Sequence, residues 1–272
     1  MKINKYLILL IVIFSVFFVW QANKKPLAND DWPTIYSVMA SSTLEGDSLT
    51  VKNVRNFRYD AEQNVISPNY YDRTYNLNDL TKVWYLYEPF GYAAHSFLSF
   101  EFKDNIFLTI SIEAKTNKKQ NYSAYAGVLR TYPLMYVVAD ENDAVLMRAN
   151  IRKNQVILYP TTVTNEEGRK LLLEIFREVN ALNTSPKWYN TFNANCTSLI
   201  ATHINNVWPN TIPYSWKLVL AGFADEIAYD HKWIDTNLTL KEAKEHFNIT
   251  EKSRQIGDVD NYSTLIRQGF DR

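Results

Sequence analysis

Cysteine is almost absent from this chain: Cys196 is the only one in 272 residues. A single cysteine excludes an intrachain disulfide framework and any metal site built from several thiolates. Net charge is absent as well, because 29 basic residues balance 29 acidic ones, so the composition indicates no nucleic-acid partner. The sequence also lacks a glycine-rich phosphate loop, a metalloprotease histidine pair and a serine nucleophile elbow. We therefore expect no cofactor and no metal ion.

One uninterrupted apolar run, residues 6–20, lies near the N-terminus between lysines. Its length is intermediate between the core of a signal peptide and a helix that crosses a membrane. Trp20 occupies the position where a cleavage site near Ala22 needs a small residue. This favours an uncleaved membrane anchor over residues 1–22, with a cleaved signal as the alternative.

Both alternatives export the rest of the chain. Residues 23–33 read as a linker, and residues 34–272 as one catalytic domain. We expect a single-pass protein of the bacterial inner membrane, with this domain on the periplasmic side.

Cys196 stands at the predicted start of a helix. Asn195 is a suitable N-cap, and apolar residues recur at helical spacing in residues 199–207. The free N–H groups and the dipole at a helix N-terminus favour a thiolate over a thiol. Two interpretations of Cys196 follow, a nucleophile or a small buried hydrophobic residue.

A hairpin upstream places a histidine near two partners. Residues 95–102 and 106–113 alternate between apolar and more polar positions, and a three-residue loop at 103–105 aligns the two apolar sets. That register puts His95 opposite Glu113. The pattern predicts His95, Ser111 and Glu113 on one face at one end of the hairpin, where a base and the group that orients it could meet.

The other histidines are weaker candidates. His203 lies on the same predicted helix as Cys196, about 10 Å away by helical rise. His231 and His246 lie in polar surroundings typical of the surface. The acidic residues at 140–143 lack calcium-loop spacing and read as a solvated turn.

The remaining pattern is typical of an α+β fold in which an antiparallel sheet packs against helices. A capping box at Thr164 predicts a helix to Leu182, Ser215 is expected to cap a third helix, and residues 60–79 read as a polar loop. Short strands are predicted at residues 49–51, 54–59, 83–87, 136–139, 145–147 and 156–159.

Four segments resemble the N-terminal periplasmic domain family of Lnb, the bacterial lipoprotein intramolecular transacylase. They are residues 53–59, 94–100, 111–115 and 189–197. The resemblance implies a circularly permuted NlpC/P60 papain-like thiol-enzyme fold, with a catalytic pair at Cys196 and His95. It also implies transfer of an acyl chain from the glycerol of a diacylated lipoprotein to the α-amino group of its first cysteine.

In that reaction His95 would keep Cys196 ionised, and an acyl-enzyme thioester would form on the sulfur. Ser111 or Glu113 would orient His95, while the Cys196 N–H and Asn195 would form the oxyanion site. Two departures stand out: the transacylases carry several membrane helices and this chain one at most, and Lys115 replaces an expected arginine.

Three functions remain open. The first is a membrane-anchored acyltransferase or hydrolase that acts on lipoprotein or another acylated substrate at the membrane surface. The second is a cysteine peptidase or amidase that acts on cell-wall peptides. The third is a non-catalytic envelope-binding domain. An acyl site should be apolar and aromatic, and residues that could line one, or simply form core, are Trp208, Tyr214, Trp216 and Phe223.

Overall fold

The computed structural model describes residues 5–26 and 31–270 of the chain, and an eight-stranded sheet forms its centre. Most of the long central strands coincide with stretches of alternating or β-branched residues bounded by turn residues. The strands of the described part are β1 (Ser41–Glu45), β2 (Ser48–Arg55), β3 (Arg58–Tyr59), β4 (Val65–Ser67), β5 (Tyr70–Asn76), β6 (Leu80–Phe90), β7 (Ala93–Phe102), β8 (Ile106–Ala114), β9 (Leu134–Ala139) and β10 (Ile157–Pro160).

Helices cover both faces of this sheet. Most are short, and the longest begins with the predicted capping box at Thr164. The helices of the described part are α1 (Lys5–Asn23), α2 (Ala124–Val128), α3 (Glu141–Leu146), α4 (Asn165–Thr184), α5 (Cys196–Val207), α6 (Trp216–Val219), α7 (Ala224–Asp230), α8 (Leu240–His246), α9 (Thr250–Ile256) and α10 (Tyr262–Leu265).

The α+β class is confirmed, but the sheet is mixed and not purely antiparallel. Its strand order is β1-β2-β9-β8-β7-β6-β10, with β5 paired to β2. β6 to β9 form an antiparallel meander, whereas β2 meets β9 in parallel at Arg55 and Ala139. The prediction of a purely antiparallel sheet was wrong because this contact joins strands about 80 residues apart in the chain. The alternation of apolar residues within a strand does not indicate such a distant partner.

The predicted hairpin register is confirmed. Phe102 pairs with Ile106 around the turn Lys103–Asn105, where Asp104 and Asn105 have φ values of 59° and 56°. Asp and Asn tolerate this left-handed conformation better than other side chains. The β7–β8 ladder stops at Phe97 and Ser111, although β7 stays paired with β6 up to Ala93. A stretch of β7 is therefore unpaired on its β8 side.

Two cores lie on opposite faces of the hairpin. The even positions, such as Phe100 and Ile110, pack against α4 and α5 in the larger core. The odd position Phe97 packs in a second core with Val145 and Tyr262, which belong to α3 and α10. The C-terminal tail, which the sequence left unplaced, thus covers the face of β7 that carries His95.

Four local predictions were wrong. Residues 60–79 contain β4 and β5, because their polar side chains belong to exposed strands that need no apolar alternation. Residues 145–147 are helical, and the acidic segment before them is the start of α3, with Asp140 as its N-cap. The third helix after Ser215 is broken into α6, a 3₁₀ turn and α7.

Helix α1 occupies most of the predicted anchor, and its apolar side chains are exposed from Tyr6 to Trp20 wherever they are described. Residues 1–4 of the anchor and 27–30 of the linker lie outside the described residues. Among the helices that are described, none reaches the length and apolar content required to cross a membrane.

A buried ion pair holds the C-terminal tail on the sheet. Arg267 donates to both carboxylate oxygens of Glu141 at 2.6 and 2.7 Å, and Ser99 of β7 donates to the same carboxylate at 2.5 Å. The Glu141 side chain is fully buried and that of Arg267 nearly so. Loss of one partner therefore leaves a buried charge without compensation.

We expect Arg267→Met to lower the free energy of unfolding by about 3–5 kcal/mol, measured by urea denaturation. Lys170→Met, which breaks an exposed pair with Glu166, is the control and should leave stability nearly unchanged. Equal losses of unfolding free energy in the two variants would contradict a special contribution of the buried Arg267–Glu141 pair to stability.

Candidate active site

Cys196 is the first residue of α5, as predicted. Asn195 caps the helix, because its side chain accepts from Ser198 N at 2.8 Å and its backbone N donates to Ser198 Oγ at 2.9 Å. Cys196 is 5% exposed and packs into the larger core. The helix N-terminus therefore presents the sulfur to the sheet in a nearly water-free environment.

The thiol lies where the β7–β8 ladder has ended. Its sulfur is 3.9 Å from the carbonyl oxygen of Ala94, and the backbone N–H of Ser96 donates a hydrogen bond to it. Both backbone groups belong to the stretch of β7 without a β8 partner. The early end of the ladder thus creates the position that the thiol occupies.

His95 meets its predicted partners on one face of the hairpin. Its Nε2 is 2.6 Å from Ser111 Oγ and 3.3 Å from Glu113 Oε1. Ser111 Oγ donates to Glu113 Oε1 at 2.6 Å, since a carboxylate can only accept. The serine hydroxyl must then accept from Nε2–H. This assigns the ring proton to Nε2 and leaves Nδ1 free for Cys196.

Arg148 completes the cluster, and no sequence motif marks this residue as part of the site. Its Nη2 donates to Glu113 at 2.7 Å and to Ser111 at 3.1 Å, while its Nε donates to Glu88 at 3.0 Å. Its guanidinium also lies 4.5 Å from the ring centroid of Phe97. Arg148 is carried by a π-helical turn, Met147–Ile151, which directly follows α3. A π turn has no clear sequence signature, and the strand predicted at residues 145–147 ends just before this residue.

Charge coupling inside this cluster shifts three pKa values. Burial alone would lower the pKa of His95, but Glu113 and Cys196 raise it to about 10. Burial alone would raise the pKa of Cys196, but the charge and hydrogen bond of His95 bring it below the ordinary thiol value. His95 and Arg148 likewise hold the pKa of Glu113 well below its usual range, against the effect of burial. The arrangement favours a thiolate–imidazolium pair near neutral pH.

Asn195 has no free donor in this structure. Its Nδ2 donates to the carbonyl oxygens of Thr191 at 2.8 Å and Leu218 at 3.0 Å. Its predicted place in an oxyanion site stays a prediction. In this structure the amide supports the loop that leads into α5. The backbone N–H of Cys196 is among the first of α5, which have no acceptor within the helix.

A largely apolar cavity of about 470 Å³ lies beside the cysteine. Ser96 and Thr197 belong to its wall, and the Thr197 hydroxyl is 3.9 Å from the Cys196 sulfur. Of the predicted aromatic run, Trp208 lines this cavity, whereas Tyr214 and Trp216 are exposed. The remaining wall is mainly aliphatic and includes Val83, Leu98, Ile200, Ile204, Leu218 and Ile234.

The other histidines lie apart from this cluster. His203 is buried against Tyr136, whose hydroxyl lies 2.6 Å from Nε2, and His231 and His246 are exposed. Lys115, the residue that departs from the expected arginine, is buried with its ammonium 4.3 Å from the Trp32 ring centroid.

The acidic segment does not form a solvated turn. Asp143 is fully buried and binds Arg55 through two hydrogen bonds of 2.7 and 2.8 Å. Over residues 5–26 and 31–270, no group of three or more His, Cys, Asp and Glu side chains is placed to hold a metal ion.

The fold and this cluster define an α+β domain with a paired cysteine and histidine at the end of a sheet. The chain belongs to the Lnb N-terminal periplasmic domain family, whose model matches residues 67–222. That match contains His95, Ser111, Glu113, Arg148 and Cys196, and the family places the domain outside the cytoplasm. No curated protein and no solved structure gives a significant match.

Glu113 carries the charge that keeps His95 protonated, which can be tested by Glu113→Gln. We expect the pKa of His95 to fall from about 10 toward the ordinary histidine value of about 6.5, and the pKa of Cys196 to rise. NMR titration of isotope-labelled histidine measures the first effect, and thiolate absorbance the second.

Glu101→Gln is the matched control, because Glu101 lies on β7, the strand of His95, but accepts a hydrogen bond from Trp84 Nε1 at 2.6 Å and is not in contact with His95. A His95 titration that is the same in wild type and Glu113→Gln would contradict the assignment of Glu113.

Proposed function

We propose that this protein is an extracytoplasmic thiol acyltransferase in which Cys196 is the nucleophile. The observation that supports it most is the coupling of Cys196 to His95, whose other nitrogen is fixed by Ser111 and Glu113. A nucleophile, a base and a group that orients the base are the parts that covalent catalysis by a thiol requires. A buried structural cysteine requires none of them.

The reaction follows from the proton positions. The Cys196 thiolate attacks the carbonyl carbon of an acyl ester, and the protonated His95 gives its Nδ1 proton to the departing alcohol. An acyl thioester then remains on the sulfur. An amine attacks this thioester, neutral His95 takes the proton that the amine loses, and the thiolate leaves. With water as acceptor the same steps give hydrolysis.

The oxyanion of each tetrahedral intermediate needs a donor near the sulfur. The N–H of Cys196 meets this need, since it belongs to the first turn of α5 and lies at the positive end of the helix dipole. Asn195 supports this donor by capping the helix, with its own side chain held by Thr191 and Leu218.

The cavity favours an acyl substrate over a peptide. Its wall is dominated by aliphatic side chains such as Leu98 and Ile204, which suit a hydrocarbon chain and offer few partners to a peptide backbone. Its position beside Ser96 and Thr197 brings it close to the sulfur. Family membership makes the acyl chain of a lipoprotein our preferred substrate.

Helix α1 gives such an enzyme access to lipid. Its apolar side chains between Tyr6 and Trp20 are exposed wherever the structure describes them, and a helix that is apolar all round belongs in an apolar medium. We propose that α1 keeps the domain at the periplasmic surface of the inner membrane. We also propose that the fold is a circular permutant of the NlpC/P60 papain-like arrangement, with the histidine strand before the cysteine helix.

The test is to incubate the full chain with a synthetic diacylated lipopeptide whose α-amino group is free. We expect mass spectrometry to find an acyl group on Cys196 that hydroxylamine removes, together with N-acylated lipopeptide. Cys196→Ser should abolish both products. Cleavage of cell-wall peptides without acyl transfer would instead support the peptidase alternative, and an inert protein would support a binding domain.

Ile204→Trp tests whether the cavity holds the acyl chain, because the larger ring takes up its volume. It should reduce transfer of long chains more than transfer of short ones. Thr202→Phe, on the exposed side of the same helix, is the control and should not change the chain-length preference. Equal losses for every chain length would contradict this use of the cavity.

A further inference from the structure

Large aromatic side chains are exposed on several loops and short helices of this domain. Tyr92, Tyr125, Phe192, Tyr214 and Trp216 are 50–78% exposed, and we call these five residues the aromatic rim. They come from four separate loops or short helices, namely the β6–β7 turn, α2, the loop before α5 and the segment that leads into α6. No local sequence pattern requires aromatic residues at these positions.

One side of the aromatic rim is held together by direct contacts. The Tyr92 ring lies 6.5 Å from the ring of Phe223, which in turn lies 5.0 Å from that of Trp216. Gly222 N donates to Tyr92 O at 3.1 Å. A Cβ on Gly222 would lie 2.6 Å from the Tyr92 backbone, so only glycine allows this approach. Tyr92 therefore has a defined place beside the α6 segment.

The other side of the aromatic rim connects through the loop that leads into α5. Asn195 joins Leu218 of α6 to Thr191, since its amide donates to both carbonyl oxygens. Thr191 Oγ1 donates to Ala124 O of α2 at 2.7 Å, and Tyr125 follows directly. Hydrogen bonds thus link the α6 segment, which carries Trp216, through the start of α5 to α2, which carries Tyr125.

The end of α1 docks next to this surface. Gln21 donates to Leu129 O at 3.2 Å, just after α2, and Lys24 donates to Arg130 O at 2.9 Å. Trp188 Nε1 donates to Lys24 O at 2.7 Å. The end of α1, with Lys24 and Arg130, therefore lies next to α2, the helix that carries Tyr125 of the aromatic rim.

We propose that the aromatic rim is a membrane-contact surface that seats in the headgroup region of the bilayer and opens the Cys196 site at the lipid surface. Tyr and Trp prefer this interface because one end of the ring is apolar and the other polar. Lys24 and Arg130 suit anionic headgroups at the same level. The continuity with α1 favours lipid over a protein partner. This inference rests on the proposed membrane association of α1 and not on the proposed reaction.

The sole cysteine makes a direct depth measurement possible. In a Cys196→Ser background, single cysteines are introduced by Tyr92→Cys and Trp216→Cys, and a spin label is attached to each. Ile66→Cys and Val259→Cys are the controls, since both residues are exposed apolar positions outside the rim. The full chain is reconstituted into vesicles of phosphatidylethanolamine and phosphatidylglycerol. Paramagnetic resonance then compares collisions with oxygen, which enters lipid, and with a water-soluble nickel complex.

We expect the oxygen-to-nickel collision ratio at positions 92 and 216 to be severalfold higher than at positions 66 and 259. Equal ratios at all four positions would overturn the proposal, as would shielding of positions 92 and 216 from both reagents, which indicates a protein contact. Because the protein tested lacks its thiol, either outcome is independent of whether acyl transfer occurs.

Discussion

The site depends on a short chain of hydrogen bonds that runs from His95 through Ser111 to Glu113. Glu113 accepts a hydrogen bond from the Ser111 hydroxyl, so the hydroxyl must accept one from His95 Nε2. That fixes the ring tautomer and directs Nδ1 to Cys196. Arg148 neutralises the surrounding carboxylates and is itself packed on Phe97. Without this chain the buried thiol would have a raised pKa and no base.

The rest of the fold holds the His95–Ser111–Glu113 hydrogen bonds and Cys196 in place. The β7–β8 ladder ends at Phe97, which frees the backbone of Ser96 to bind the sulfur. Helices α3, α9 and α10 pack on the face that carries His95 and leave only a small part of the cluster exposed. On the other face, α5 brings Cys196 with its N-terminus against the sheet, next to a largely apolar cavity. The His95 side chain therefore approaches the site from one face of the sheet, and Cys196 approaches it from the other.

Much of this arrangement was predictable from local sequence. Alternation in the hairpin fixed the register that brings His95, Ser111 and Glu113 together, and Asn195 marked the start of the cysteine helix. The parallel contact between β2 and β9, the π turn that carries Arg148 and the packing of the tail could not be predicted. Each depends on residues far apart in the chain or on backbone geometry without a residue signature. Local pattern alone does not show that Cys196 and His95 meet, since about 100 residues separate them.

The central claim is that His95 keeps Cys196 ionised, and the rate of alkylation of this sole thiol against pH tests it most directly. The full chain is treated with a small alkylating reagent across pH 5 to 10, with His95→Ala as the comparison. The account predicts a rate that is already at its plateau well below the free-thiol pKa of about 8.5, and loss of that plateau in the variant. A thiol that reacts only above its ordinary pKa, or that reacts equally in both proteins, would contradict it.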